Sequence, residues 1–216
     1  SACGHAMTMR DPLRVGPVAG FPVGRAWEVS GFPVDCVNVG RAIVWPDGPD
    51  LVLSGINNGP NLGFDVTYSG TVGGAIEGTM AGIRSLAFSV AELNYPATLR
   101  YDGAEAWIAE HLPALVQIPL PDLTLLNVNV PNRAPDEILG TRVTTMERRV
   151  FEDRIEFRDD PWGRPYGWQG GVTVVDGPRE PGSDVAAIRD GYVSVTPISV
   201  DWTRHDALDA LRPLER

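Results

Sequence analysis

The residues best suited to chemistry lie in one short segment, 54–63, which reads Ser-Gly-Ile-Asn-Asn-Gly-Pro-Asn-Leu-Gly. Three glycines and a proline within ten residues predict a tightly turned loop whose backbone can approach a ligand closely. Asn57 and Asn61 each offer a neutral side-chain oxygen, which suits a hard divalent cation or a substrate hydroxyl group. Asn and Gly are also common in plain turns, so the residue types alone leave both interpretations open.

A second segment, 68–72, reads Tyr-Ser-Gly-Thr-Val and places Ser69, Gly70 and Thr71 at the start of a predicted helix. Free backbone N–H groups, two hydroxyl groups and the positive end of the helix dipole together favour the binding of an anion such as phosphate. A simple N-cap, in which the serine satisfies the N–H groups of its own helix, is the competing interpretation.

Other catalytic chemistry finds little support in the sequence. It contains no G-x-G-x-x-G, P-loop, G-x-S-x-G, H-E-x-x-H or C-x-x-C motif. Of the three histidines, His111 falls within an amphipathic helix and His205 in the C-terminal tail, whereas His5 lies near other candidate site residues. A zinc site built on histidine and cysteine is therefore not predicted.

Alternating strands and helices must position these segments. Short apolar runs predict strands at 50–54, 85–90 and 123–130, and apolar residues at helical spacing predict helices at 71–82 and 102–116. This order is typical of a doubly wound, mostly parallel α/β sheet. Because segment 54–63 leaves the carboxyl end of a central strand, it lies where open α/β sheets bind their ligands.

The pattern changes after Pro135. Residues 1–135 are predicted to form an α/β core, and residues 136–216 a β-rich arm and a C-terminal segment of the same domain. The elements predicted for this second part are strands at 141–145 and 148–157, a loop at 160–165, a helix at 182–189 capped by Ser183, a strand at 192–196, and a last helix at 203–211 with Thr203 as its cap and Asp206 at the capping-box position.

Length and charge exclude several classes of protein. The 216 residues suffice for one domain with a sizeable core. The 28 acidic and 18 basic residues give a net charge of −10, which repels phosphate backbones and argues against binding of long nucleic acid. No apolar run approaches the roughly 18 residues of a membrane span, and two cysteines cannot build a disulfide framework. A cytoplasmic protein that does not bind membranes is expected.

Several spaced motifs together resemble those of the SurE family, the survival-protein nucleotidases. Segments 54–63 and 68–72 carry the main signature, and the resemblance covers essentially the whole chain. The other matching runs are Ser1–Thr8 with Ser-x-x-Gly-His, Asp11–Arg14, Ser30–Val37 with Ser-Gly-x-Pro-x-Asp-Cys-Val, Asn127–Pro131 and Gly191–Pro197.

The resemblance implies a SurE-like, Rossmann-like fold and a metal-dependent phosphomonoesterase. Such an enzyme hydrolyses nucleoside 5′- and 3′-monophosphates to nucleoside and phosphate and acts in stationary-phase survival. Ser1 and Asn57 match ligands of a divalent cation, Mg²⁺ or Mn²⁺, which a pair of adjacent aspartates completes. Asn61 and residues 69–71 match positions around the substrate phosphate, and His5 is a possible further site residue. Homodimers or homotetramers built with the β-arm and the C-terminal segment are also implied.

One departure from the family pattern concerns the start of the sequence. The family opens with a strand that runs into Asn-Asp-Asp-Gly, a run that does not occur here. About 40 residues, or one strand–helix–strand unit, are therefore expected to be missing ahead of Ser1, including a strand from the centre of the sheet. Since Mg²⁺ is usually held through one or two carboxylates, a polypeptide that starts at Ser1 is expected to be inactive. A smaller departure is Phe32, which replaces the family's usual threonine.

Two other functions stay open. A SurE-like fold without the acidic pair could serve as a non-catalytic nucleotide-binding or assembly protein. Ser1 could also act as an N-terminal nucleophile with its own α-amine as the base, although that mechanism normally belongs to a different, sandwich fold.

Overall fold

A computed structural model describes residues 3–21, 24–93, 98–148, 150–152, 155–169, 173–175 and 180–215. The strands in these ranges are β1 (Val15–Pro17), β2 (Trp27–Val29), β3 (Leu51–Asn58), β4 (Arg84–Ala91), β5 (Thr124–Pro131), β6 (Thr141–Val143), β7 (Val150–Glu152), β8 (Ile155–Asp159), β9 (Pro165–Gln169), β10 (Thr173–Val175) and β11 (Val193–Ser199). The α-helices are α1 (Pro33–Val39), α2 (Gly70–Met80), α3 (Asp102–Leu115), α4 (Asp184–Arg189) and α5 (Leu208–Leu211). No helix in this described part is long and apolar enough to cross a membrane.

Within the described residues, five strands form the central sheet in the order β3-β4-β5-β11-β6. β3, β4 and β5 run parallel, β11 runs antiparallel to β5, and β6 runs parallel to β11. The predicted α/β fold with a mostly parallel sheet is thus confirmed. Strands β6 and β11 show that the part of the chain after residue 135 contributes directly to this sheet.

Helices cover both faces of the sheet, which explains why its inner strands read as continuous apolar runs. Val72 and Ala75 of α2 pack on one face together with Leu125 of β5. Trp107 of α3 packs on the other face together with Leu126, the next residue of the same strand. The predicted apolar faces of both helices therefore point toward the core.

Strand β3 is longer than the sequence predicts. The predicted strand ends at Ser54, but β3 continues through Gly55 to Asn58, and its register against β4 shifts between Ser54 and Asn57. Gly55 has a φ of 117°, and a side chain there would collide with the carbonyl oxygen of Phe88. A glycine at this irregularity lets the strand continue beside β4 where another residue would not fit. The turn itself begins at Gly59, whose φ is 118°.

The predicted β-rich arm contains two antiparallel strand pairs. β8 pairs with β9, and β7 pairs with β10. The predicted strand 148–157 is thus divided, and its residues 149, 153 and 154 lie outside the described residues. The loop 160–165 is confirmed as the turn between β8 and β9, where the Asp160 carboxylate accepts hydrogen bonds from the N–H groups of Trp162 and Arg164, both at 2.9 Å.

The two helices predicted near the C-terminus differ in outcome. For α4 the prediction is confirmed, since the Ser183 hydroxyl accepts a hydrogen bond from the Ala186 N–H at 3.1 Å. The last helix is wrong in its bounds, because a 3₁₀ turn precedes α5 and the side chain of Thr203 does not cap it. Asp201 accepts a hydrogen bond from the Thr203 N–H at 2.9 Å, and such an Asx turn competes with a helix start at that residue.

Candidate functional site

A groove of about 760 Å³ lies beside β3, on the side away from β4. Its walls are β3 itself, α1 with the turn that follows it, and the start of α2. Apolar side chains predominate, and Arg41 is the one charged residue among the described residues that line it. The lining consists of Pro33, Cys36, Val37, Gly40, Arg41, Trp45, Pro49, residues 51–58 and Thr71. Two of the predicted site residues, Asn57 and Thr71, therefore face one space.

Asn57 and Thr71 are also bonded to each other. The Thr71 hydroxyl donates a hydrogen bond to Asn57 Oδ1 at 3.1 Å, and Asn57 Nδ2 donates to the carbonyl oxygen of Gly59 at 2.9 Å. The second contact fixes which end of the amide is the oxygen. Because an amide oxygen has two lone pairs, Asn57 Oδ1 retains acceptor capacity for a ligand in the groove.

Ser69 caps helix α2. Its hydroxyl accepts a hydrogen bond from the Val72 N–H at 3.1 Å, and its carbonyl oxygen accepts from the Gly73 N–H at 2.9 Å. The N-cap interpretation of this serine is therefore right. The N–H groups of Gly70 and Thr71 belong to the first turn of α2, where the helix supplies no acceptor and the dipole is positive.

Gly70 is needed for close packing and not for an unusual backbone conformation. It is the first residue of α2, and its φ does not fall in the left-handed region. A Cβ at this position would meet Cys3 Sγ and lie 3.2 Å from Pro33 Cγ. A Cβ at Gly73 would lie 2.7 Å from the carbonyl oxygen of Gly4. The segment that begins at Cys3 therefore lies directly along α2.

The structure does not bring His5 together with Asn57. His5 Nε2 lies 2.9 Å from Oε2 of Glu77, which is near the other end of α2, and neither residue lines the groove. His5 remains a candidate only by its place in the sequence.

Asn61 differs from Asn57 because it is buried, with a relative exposure of 5%. Its Nδ2 donates a hydrogen bond to the Ser89 hydroxyl at 2.6 Å, and its main chain contacts the side chains of Asn127 and Asn129. Sequence reasoning treated these β5 asparagines only as family landmarks. The available signal was two polar residues at alternate positions of a buried strand, which places both on one face.

Asp35 is another buried residue that sequence reasoning missed as a structural anchor. It is 2% exposed and accepts hydrogen bonds from the Thr8 hydroxyl at 2.7 Å, the Phe32 N–H at 2.8 Å and the Thr8 N–H. Burial acts to raise the pKa of Asp35, but these hydrogen bonds outweigh it and hold the pKa below its ordinary value. Asp35 thereby fastens the segment around Thr8 to helix α1.

Asp184 plays the equivalent part for the loop after β3. It is fully buried and accepts hydrogen bonds from the N–H groups of Gly63 at 2.6 Å, Val185 at 2.8 Å and Glu147 at 3.0 Å. Burial raises the pKa of Asp184 above its ordinary value, and the nearby Glu147 adds to the increase.

The described residues fit a divalent cation only in part. Asn57 Oδ1 supplies one neutral oxygen ligand in the groove. Among the described residues no group of three or more His, Cys, Asp or Glu side chains could hold a metal ion. Ser1, the other predicted ligand, lies outside the described residues. No carboxylate or imidazole lines the groove in the described part of the chain, so a ligand of either kind would have to come from elsewhere.

Comparison with known proteins finds a matching family and similar named proteins. The family described as survival protein SurE matches residues 1–153. The 5′-nucleotidase SurE of Gemmatimonas aurantiaca is 45% identical over 213 residues, which are 97% of this chain and 81% of the relative. The 5′-nucleotidase SurE of Fervidobacterium nodosum is 40% identical over 214 residues, which are 98% of this chain and 81% of the relative.

A solved structure agrees with these matches. The crystal structure of the SurE protein from Aquifex aeolicus aligns with a TM-score of 0.81 at 36% sequence identity. The alignment covers 99% of this chain and 84% of the Aquifex chain.

Proposed function

The chain belongs to the survival protein SurE family, and we propose that it is a 5′-nucleotidase that hydrolyses nucleoside monophosphates to nucleoside and phosphate. The names of its relatives support this activity. The observation that carries the proposal is the pairing of Asn57 with Thr71, because it joins the carboxyl end of β3 to the start of α2 in one groove. We extend the proposal to nucleoside 3′-monophosphates.

The start of α2 is the proposed phosphate site. The N–H groups of Gly70 and Thr71 and the positive end of the helix dipole favour an anion there. The Thr71 hydroxyl can rotate from Asn57 toward a phosphate oxygen. Ser69 contributes by capping the helix, since its hydroxyl is already engaged with the Val72 N–H.

We also propose that the reaction depends on a divalent cation, Mg²⁺ or Mn²⁺. Asn57, which lies within the described residues, can ligate the cation through its Oδ1. Ser1 is the second proposed ligand. Support comes from the chemistry of the amide oxygen, which suits hard cations, and from its place at the end of a core strand.

Release of phosphate tests the activity directly. The full-length protein is incubated with 5′-AMP and with 3′-AMP in the presence of Mn²⁺, Mg²⁺ or EDTA, and inorganic phosphate is measured. Cation-dependent release from 5′-AMP is the expected result. Binding of AMP without any release would contradict the proposal and favour a nucleotide-binding or assembly protein instead.

We further propose that the protein forms homodimers or homotetramers through the arm. A two-stranded pair such as β8 and β9 is marginally stable alone, and its apolar side chains face solvent, with Phe157 72% and Trp168 63% exposed. Light scattering should give a multiple of the 23.3 kDa chain mass. Phe157→Ser should lower that mass, whereas Met9→Ser, an exposed residue away from the arm, should leave it unchanged.

A further inference from the structure

The main chain of Asn61 is held by side chains instead of by a neighbouring strand. Its N–H donates a hydrogen bond to Asn129 Oδ1 at 2.9 Å. Its carbonyl oxygen accepts hydrogen bonds from Asn127 Nδ2 at 2.8 Å and from Asn129 Nδ2 at 2.9 Å. Both main-chain hydrogen-bonding groups of Asn61 are therefore bound by two asparagines of β5, both 0% exposed.

A third buried side chain holds the loop farther along. The Gly63 N–H donates to Asp184 Oδ2 at 2.6 Å, so a buried carboxylate fixes the chain two residues after Asn61. The loop from Gly59 to Gly63 is thus bonded both to the sheet and to the start of α4. Water cannot easily replace these contacts, because all three anchoring side chains are fully buried.

The anchored loop in turn orients Asn57. The Gly59 carbonyl oxygen, two residues before Asn61, accepts a hydrogen bond from Asn57 Nδ2 and so directs Asn57 Oδ1 toward Thr71 and the groove. Proline at position 60 fixes the backbone between Gly59 and Asn61. A change in the position of Asn61 is therefore transmitted to the Asn57 amide through one rigid residue.

Stability alone does not explain the asparagine at position 127. Asn127 Oδ1 is buried and has no hydrogen-bond partner among the described residues. An apolar residue would continue the buried run of β5 without leaving an unpaired oxygen. Sequences break such local rules most often where function requires it.

We propose that Asn127 and Asn129 are positioning residues for the reaction, which hold the Asn61 peptide and thereby aim Asn57 Oδ1 into the groove. This inference rests on the proposed nucleotidase function. It also gives Asn61 a role through its main chain, where the resemblance implies a contact with phosphate.

The test compares Asn129→Leu with the matched control Thr196→Val. Thr196 is 2% exposed, lies beside Asn127 on β11 and bonds to the Thr144 hydroxyl, but it has no bond to the loop. Both variants therefore remove buried hydrogen bonds from the same layer. For each variant of the full-length protein, kcat/KM with 5′-AMP is measured well below the melting temperature, and amide hydrogen exchange is followed at Asn61 and Gly63.

Asn129→Leu is expected to lower kcat/KM by roughly 100-fold, since small misplacements of reacting groups cost that much. It should also speed exchange of the Asn61 N–H, whereas Thr196→Val should change neither by more than about twofold. Equal kcat/KM in the two variants would overturn the positioning role. Failure of the wild-type protein to release phosphate from any nucleotide would overturn the proposed function itself, and the positioning role with it.

A second variant covers the case in which Asn129→Leu does not fold. The carboxyl group introduced by Asn129→Asp has nearly the same shape, and its protonated form can both donate to the Asn61 carbonyl and accept from the Asn61 N–H. The kcat/KM of this variant relative to wild type should therefore rise as the pH falls. A ratio that stays constant with pH would contradict the proposal.

Discussion

Asn57 and Asn61 belong to one glycine-rich segment and have the same side chain, yet their surroundings are opposite. Asn57 is half-buried on a groove, and its Oδ1 accepts one hydrogen bond from Thr71. Asn61 is buried under β4 and β5, with both its side chain and its main chain bonded to the sheet. An asparagine in a ligand-binding loop can therefore either contact the ligand or stabilise the loop.

The difference arises from the path of the backbone. β3 continues through Asn58, and Asn57 near its carboxyl end lines the groove. The turn at Gly59 and Pro60 then brings the chain back over β4 and β5, where Ser89 and the β5 asparagines offer polar partners. The candidate ligand Asn57 thus lies at the end of the strand, whereas Asn61 lies in the buried part of the turn that follows.

The largest expected effect is on activity at the groove. In the full-length protein, Asn57→Ala should lower kcat/KM for AMP by about 100-fold or more, as loss of a single preorganised polar group does at other active sites. It should also raise the Mn²⁺ concentration needed for half-maximal activity, while the melting temperature changes little because the side chain is only half-buried. The control is Asn38→Ala, on α1 but outside the groove lining. Wild-type turnover at limiting Mn²⁺ would show that Asn57 is not a ligand.

Asn61→Ala should instead lower stability more than activity. Removing the amide leaves the buried Ser89 hydroxyl without its donor, which costs about 1–3 kcal/mol of unfolding free energy. The main-chain contacts to Asn127 and Asn129 remain, so kcat/KM should fall much less than in Asn57→Ala. Denaturant titration and AMP kinetics measure the two effects. A large loss of activity at unchanged stability would instead support the phosphate contact that the resemblance implies.

The sequence predicts the position of Asn57 better than it predicts the contacts of Asn61. Apolar runs and helical spacing are local signals, and they suffice to place Asn57 at a strand end and Thr71 at a helix start. The bond between the Asn61 N–H and Asn129 spans 68 positions, and the bond between Gly63 and Asp184 spans 121. No local pattern encodes such pairs, since they depend on which strands become neighbours. The end of β3 was misplaced for a related reason, because a glycine favours a turn locally but here permits a close approach to β4.

A smaller effect, on stability, is expected where α2 packs closely against the segment that begins at Cys3. Gly70→Ala should destabilise the protein by roughly 1–3 kcal/mol, since the new methyl group would overlap Cys3 Sγ. Cys3→Ala removes that sulfur, so the double variant should recover part of the loss. A double-mutant cycle of unfolding free energies measures this coupling. Additive effects would mean that Cys3 is not what confines Gly70.

The smallest expected effect is a difference in how stability depends on pH between two buried aspartates, Asp35 and Asp184. Asp35 holds the segment around Thr8 to α1, which forms a wall of the groove, and its pKa is lowered from 3.8. Asp184 holds Gly63 in the anchored loop, and its pKa is raised from 3.8. A lowered pKa contributes stability that is present above pH 3.8 and is lost as the pH falls through the folded-state pKa. A raised pKa contributes stability that is present below pH 3.8 and is lost as the pH rises through the folded-state pKa.

Asn substitutions at the two positions should therefore change with pH in opposite directions. The destabilisation by Asp35→Asn should shrink as the pH falls below 3.8, because the wild-type protein loses its own advantage there. The destabilisation by Asp184→Asn should shrink as the pH rises above 3.8, because the buried carboxylate must then carry its charge. Urea titrations of both variants and the wild type between acidic and neutral pH measure the two trends. The same slope in both variants would show that Asp35 and Asp184 do not differ in whether hydrogen bonding or burial dominates the pKa.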